Sequence, residues 1–144
     1  MNYSIILYVI GWVLNFEAAF MVPACVTGLI YREYETSALA VVALFCLAVG
    51  LLITKKKPRS MSLYAKEGFV TVALCWVVLS ALGALPFVIS RVIPSYVDAL
   101  FEVVSGFTTT GSSILPEVEH MPHCLLFWRS FTHWIGGMGV LVFV

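Results

Sequence analysis

The sequence predicts an all-α integral membrane protein: four transmembrane helices, with a short re-entrant pore helix and a polar filter loop between the third and the fourth. Three observations predict it. Of the 144 residues, 61% are hydrophobic and 11% charged, whereas a soluble domain carries about 25% charged residues. Four segments have roughly the 20 mostly apolar residues needed to cross a hydrocarbon core. Between the last two lies Phe107-Thr108-Thr109-Thr110-Gly111-Ser112-Ser113, a hydroxyl-rich loop around one glycine. Non-helical backbone at membrane depth persists only where it is buried in protein or lines a watery cavity.

The first apolar run extends from about Ile5 to Tyr31, interrupted by Asn15, Glu17 and Pro23. It lacks a basic leader and outlasts a signal-peptide core, so it is expected as a retained span. The second is Ser37 to Ile53, the third about Gly68 to Ser90, and the fourth starts near Cys124 and is still apolar at Val144. Lys55, Lys56, Lys57, Arg59 and Lys66 all lie between the second and third spans. The excess of basic residues marks loop 54–67 as cytoplasmic. The N-terminus is then cytoplasmic as well, and 91–123 starts and ends outside. The basic cluster also suits anionic lipid head groups.

The outer segment carries its own helix signal. Ser95 can cap a first turn, and Asp98 stands at the capping-box position. Val97, Leu100, Phe101 and Val104 follow at helical spacing. A helix from Tyr96 to Phe107 would be about 18 Å long, too short for a core of about 30 Å. A short helix that enters from outside, ends in a polar loop and returns outside is a re-entrant hairpin. Its C-terminal end carries partial negative charge. Backbone carbonyls in the loop beyond it can replace a cation's hydration shell. The residues therefore point to an ion pathway with 108–113 as its filter. A surface-lying amphipathic helix is the competing reading, but it gives no use to a run of hydroxyl residues around a glycine.

The run Asp98-Ala-Leu-Phe-Glu102-Val-Val-Ser-Gly106-Phe-Thr-Thr-Thr-Gly111-Ser-Ser resembles the first pore loop of the Trk/Ktr/HKT potassium transport superfamily. Phe127-Trp-Arg129-Ser-Phe-Thr-His133-Trp134-Ile-Gly136-Gly137-Met-Gly139 resembles the helix after that loop, in its TrkH-type branch. The likeness is strong over about 95–144 and looser over 1–90. It implies four span–pore-helix–span units around one pore, each giving a filter loop with a central glycine. On this pattern residues 1–60 are a leading helix pair, and 61–144 are the first pore unit, truncated within its last helix. The carbonyls of Thr109, Thr110, Gly111 and Ser112 would line the ion path, with Gly111 in the potassium-selective form. Potassium would be the substrate, with no cofactor. The implied partners are the remaining pore units, a second full subunit in a homodimer, a cytosolic nucleotide-binding regulatory subunit and the bilayer of a bacterial inner membrane. With one unit of four present, the expectation is a fragment of a longer subunit. A homotetrameric channel and a non-conducting assembly module are the alternatives.

Arg129 and His133 are four apart and share a helix face. Arg129 is expected to brace the filter loop through its carbonyls or through Glu102. Gly136, Gly137 and Gly139 are expected to allow close packing against the pore loop. Glu17 is the most deeply placed acid of the first span, open to a structural or a proton-coupling role. His120, His123 and Cys124 lack a metal-ligand pattern. The cysteines, Cys25, Cys46, Cys75 and Cys124, are single and read as small hydrophobes. Zero net charge gives no case for nucleic acid. No nucleophile–base pair or phosphate loop suggests an enzyme.

Overall fold

The computed structural model describes residues 3–58 and 64–143, with the side chains of 140–143 left aside. Arg59 of the basic cluster, the 60/61 unit boundary and Val144 lie outside the described residues. The described residues form six helices: α1 Tyr3–Tyr31, α2 Thr36–Thr54, α3 Ala65–Gly83, α4 Leu85–Ile89, α5 Tyr96–Phe107 and α6 His123–Phe143.

α1 and α2 form a tight hairpin, and glycine sets how closely they approach. A Cβ on Gly50 would stand 2.8 Å from the Gly11 carbonyl oxygen and against the Asn15 amide. At the turn, Arg32 takes a φ of 54°, and Glu33 N–H donates to Gly28 O at 2.9 Å. A Cβ on Gly28 would meet the Thr36 hydroxyl and, at 2.8 Å, Cys124 Cβ. The start of α6 is therefore wedged against this hairpin.

The third span is broken where the sequence predicts one helix. Pro86 has no N–H to donate and its ring crowds the preceding turn, so α3 ends at Gly83 and α4 restarts at Leu85. Phe87 N–H turns to Ala84 O at 3.2 Å. The Gly83 carbonyl is left for another donor, and the Trp128 indole of α6 takes it at 3.0 Å.

α5 has the ends its sequence predicts. Ser95 caps it, accepting from Asp98 N–H at 3.5 Å. Among the described residues the reciprocal Asp98 bond does not form, so only half of the expected capping box is present. The helix lies against α3, α4 and α6. Met21, Leu39, Phe87, Val103, Phe107, Leu125 and Trp128 meet in the core.

The outward faces are strongly apolar: Leu29 is 70% exposed, Ile30 73%, Leu44 65% and Phe69 79%. In water such surface would be costly, at about 25 cal/mol per Å²; facing lipid or further protein it is not. Among the described residues, three helices are long and apolar enough to cross a membrane: Tyr3–Tyr31, Thr36–Thr54 and Ala65–Ile89, the last including the break. α6 has the length, 21 residues, but carries His123, Arg129 and His133, and does not meet that standard. The protein is an all-α membrane protein with three such helices among the described residues, where the sequence predicts four spans.

Candidate functional site

The site begins at the C-terminal end of α5. Its inward face holds Ala99, Glu102, Val103, Ser105, Gly106 and Phe107, all buried. After Phe107 the chain leaves the helix, and the sign of φ alternates. Thr108 has φ −82°, Thr109 +57° and Gly111 +77°, and Thr110 between them is not positive. A threonine in the left-handed region costs about 1–2 kcal/mol, so the fold must hold Thr109 there. Two amides help: Thr109 N–H donates to Gly106 O at 2.9 Å and Thr110 N–H to Ser105 O at 3.0 Å.

Glu102 ties the loop from behind. It is 1% exposed, and every donor it meets is useful. Its Oε1 accepts from the Ser113 hydroxyl in a short hydrogen bond and from Ile114 N–H at 2.8 Å. Its Oε2 accepts from Arg129 Nε at 3.0 Å. One carboxylate thereby joins α5, the far end of the loop and α6. A buried carboxylate with this many donors is stable only as a set, because each lost partner leaves charge uncompensated.

Of the four carbonyls expected along an ion path, the structure separates one. Ser105 Oγ donates to Ser112 O at 2.6 Å. Among the described residues, the carbonyls of Thr109, Thr110 and Gly111 accept no hydrogen bond. Residues 108–113 are exposed, and nothing lies within 4 Å of a Cβ placed on Gly111. The loop is thus braced on one side by its own chain and bare on the other.

α6 fits the rear of this loop closely. A Cβ on Gly136 would collide with the backbone of Phe107, and one on Gly106 with the Thr132 hydroxyl. A Cβ on Gly137 would stand 3.9 Å from Thr109 Cγ2. One on Gly139 would stand 3.2 Å from the Trp76 ring of α3 and would meet nothing of the loop. His133 does share a face with Arg129, its Nδ1 lying 3.0 Å from the Arg129 carbonyl. Of the two supports offered for Arg129, Glu102 is the one used.

Two features escaped the sequence reading. Ser105 is one; its position one turn beyond Glu102 on the buried face of α5 was the available signal. Glu33 is the other. Its Oε1 accepts from His123 N–H at 2.6 Å and lies 2.8 Å from His123 Nδ1, and its Oε2 accepts from Cys124 N–H at 2.8 Å. Tyr31 stacks on the His123 ring at a centroid distance of 4.0 Å. Glu33 therefore caps α6 from the α1–α2 turn. Burial pushes its carboxyl up, but the amides of Cys124 and His123 and the His123 ring outweigh this and hold it at about 2.

The arrangement of a short capped helix, a braced loop with open carbonyls and a closely packed following helix can be compared with known proteins. A family model described as "TrkH: Cation transport protein" matches residues 35–144. This chain belongs to the TrkH cation transport family. It is 37% identical over 146 residues to the Trk system potassium uptake protein TrkH of Escherichia coli K12, covering 99% of this chain and 30% of that protein. An uncharacterized cation transporter of Methanocaldococcus jannaschii is 36% identical over 138 residues, covering 95% of this chain and 29% of that protein. Among solved structures, the crystal structure of the potassium transporter TrkH from Vibrio parahaemolyticus superposes with a TM-score of 0.91 at 31% identity, over 99% of this chain and 31% of that one. The chain thus spans about 30% of the length of the TrkH-family relatives it matches, and it aligns nearly end to end within that portion.

Proposed function

We propose that this chain supplies one filter loop, with its pore helix, to a potassium-conducting path through a membrane. The observation that carries the reading is the loop itself: Glu102 braces its rear, φ alternates in sign over 108–111, and the Thr109, Thr110 and Gly111 carbonyls find no donor among the described residues. Alternating the hand of successive residues keeps their peptide groups on one side, where a strand would alternate them. Carbonyls on one side can replace water around a cation. Thr109, Thr110 and Gly111 are the ion ligands on this reading. Ser112 would contribute with its second lone pair, since Ser105 already engages its carbonyl. Glu102 and Arg129 are the supports.

α6 then acts as the fourth span. Its Arg129 is neutralised by Glu102, which removes the main objection to placing it beside the membrane interior. α5 is re-entrant, because 12 residues reach only about 18 Å. α1 and α2 form the leading pair, up to about residue 60, and the rest is the pore unit. The exposed face of the loop is the one that further pore units would enclose, so the chain works as part of a longer subunit. The N-terminus and the 54–58 segment are cytoplasmic, in a bacterial inner membrane. A homodimer of full subunits and a cytosolic nucleotide-binding regulatory subunit complete the assembly.

The test is rubidium uptake by potassium-uptake-deficient cells carrying the full-length subunit. Deleting Thr110 moves every later carbonyl out of register and should abolish uptake at unchanged membrane expression. Uptake that survived the deletion would overturn the reading.

A further inference from the structure

A cavity of about 430 Å³ lies between the start of α2 and the end of α4, and its lining includes Glu35, Ser37, Ser90 and Arg91. Its size is ordinary for a ligand site, about 300–1,000 Å³. It sits where two apolar helices end, at the pole of the bundle away from Lys55, Lys56 and Lys57. Tyr34 also lines it and is 88% exposed, and tyrosine is enriched at the level of lipid head groups. Among the described residues, the side chains of Glu35 and Arg91 pair neither with each other nor with another residue.

A cation and an anion that share a cavity without meeting suit a guest that carries both charges. The hydroxyl groups narrow the choice. Ser37 Oγ donates to Tyr34 O at 2.9 Å, and Ser90 Oγ donates to Phe87 O at 3.1 Å. Each proton is committed, so each oxygen is left as an acceptor. Glu35 is an acceptor too. Such a set calls for a positive group with N–H donors, which a primary ammonium has and a quaternary one lacks. The Arg91 guanidinium fork matches the oxygens of a phosphate. Ala38 lines the cavity, and Val41 and Phe45 follow it on the same face of α2, 58% and 52% exposed. They give an apolar track that leads from the cavity toward the middle of the span. We propose that the cavity holds the head group of an ethanolamine phospholipid. The phosphate meets Arg91, the ammonium meets Glu35, Ser37 and Ser90, and an acyl chain lies along Val41 and Phe45. The proposal depends neither on what the 108–113 loop conducts nor on which way the chain crosses the membrane, because both leaflets present head groups.

The experiment is native mass spectrometry of the purified protein in detergent, titrated with palmitoyl-oleoyl phosphatidylethanolamine. Saturable retention of one lipid is expected. The phosphatidylcholine and phosphatidylglycerol of the same chains should bind at least tenfold more weakly, the first for want of N–H donors and the second for want of a positive group. Glu35→Gln should erase the preference for ethanolamine over glycerol, and Arg91→Gln should weaken both lipids. Glycerophosphoethanolamine, which has the head group and no acyl chain, should not displace the lipid; displacement by it would assign the cavity to a soluble zwitterion and overturn the lipid assignment. Equal retention of the three lipids by wild type, or an unchanged preference in both variants, would also overturn the proposal. Should a variant fail to fold, as judged by its circular dichroism melt, the three lipids compared on wild type alone decide the matter.

Discussion

Glu102 and Arg129 are 27 positions apart in the chain and 3.0 Å apart in space. Their side chains are 1% and 17% exposed, respectively. The pair fixes α6 against α5, and through Ser113 and Ile114 it also fixes where the loop ends. Position and electrostatics are coupled here: the charge that allows Arg129 to lie in an apolar helix is the same charge that anchors the loop.

Breaking one side of a buried pair costs about 3–5 kcal/mol, because the other charge is left without compensation. Arg129→Gln and Glu102→Gln should each lower thermal stability in detergent by an amount of that order. The double variant should lose clearly less than the sum, with a coupling of about 2 kcal/mol. Arg129→Lys should recover part of the loss, since it restores charge without the fork geometry. Strictly additive single losses would show that the two residues act apart.

Glu33 gives a pH dependence with a definite sign. Its folded pKa of about 2 lies below the ordinary 4.5. The folded state thus favours the ionised form, and the stabilisation is full above about pH 4.5 and is lost as pH falls through about 2. A shift of this size corresponds to about 3 kcal/mol at neutral pH. Wild type should melt above Glu33→Gln at pH 6, and the gap should narrow between pH 5 and pH 2. A gap that stayed constant down to pH 2 would mean that the amides of His123 and Cys124 do not bind a carboxylate.

How much of this was legible in the sequence depended on how local the cause was. α5 was readable at both ends because its cap, its apolar spacing and its polar end lie within Ser95–Thr110. The Arg129–Glu102 contact was half readable: a charge in an apolar helix needs a partner, and Glu102 was one of the two supports the sequence offered, beside the loop carbonyls. The break at Ala84 was missed although Pro86 signalled it, because hydropathy alone runs smoothly through it. The Glu33 cap could not be read: it spans 90 residues, and in a short loop Glu33 counts only as one negative charge. The meeting of α1, α2 and α6 at Gly28 could not be read either, because Gly28, Thr36 and Cys124 come from separate stretches of the chain.

The topology proposed from charge can be tested by labelling. Lys55, Lys56 and Lys57 precede α3, whereas the α1–α2 turn has only Arg32, opposed by Glu33 and Glu35. A membrane-impermeant thiol reagent added outside intact cells should label Tyr34→Cys, whose parent residue is 88% exposed, and miss Lys57→Cys. The native cysteines are buried or half-buried, so the unsubstituted protein is the background. Labelling at 57 but not at 34 would invert the orientation.

Gly111 has a φ of +77°, and a side chain there would meet nothing within 4 Å in this chain. Any effect of a substitution must therefore come from the backbone or from groups that other pore units bring to the open side. A non-glycine residue in the left-handed region costs about 1–2 kcal/mol, on the order of tenfold in the population of the native loop. It also places a hydroxymethyl group where the loops would converge. Gly111→Ser in the full-length subunit should thus lower potassium preference over sodium by about tenfold. Val41→Ser, on the outward face of α2 and 58% exposed, should leave it unchanged. The measurement is growth and ion uptake in potassium-uptake-deficient cells at varied sodium, with expression matched. If Gly111→Ser kept wild-type affinity and selectivity, the Thr109–Gly111 carbonyls would not be the ion ligands, and the proposed path would have to lie elsewhere.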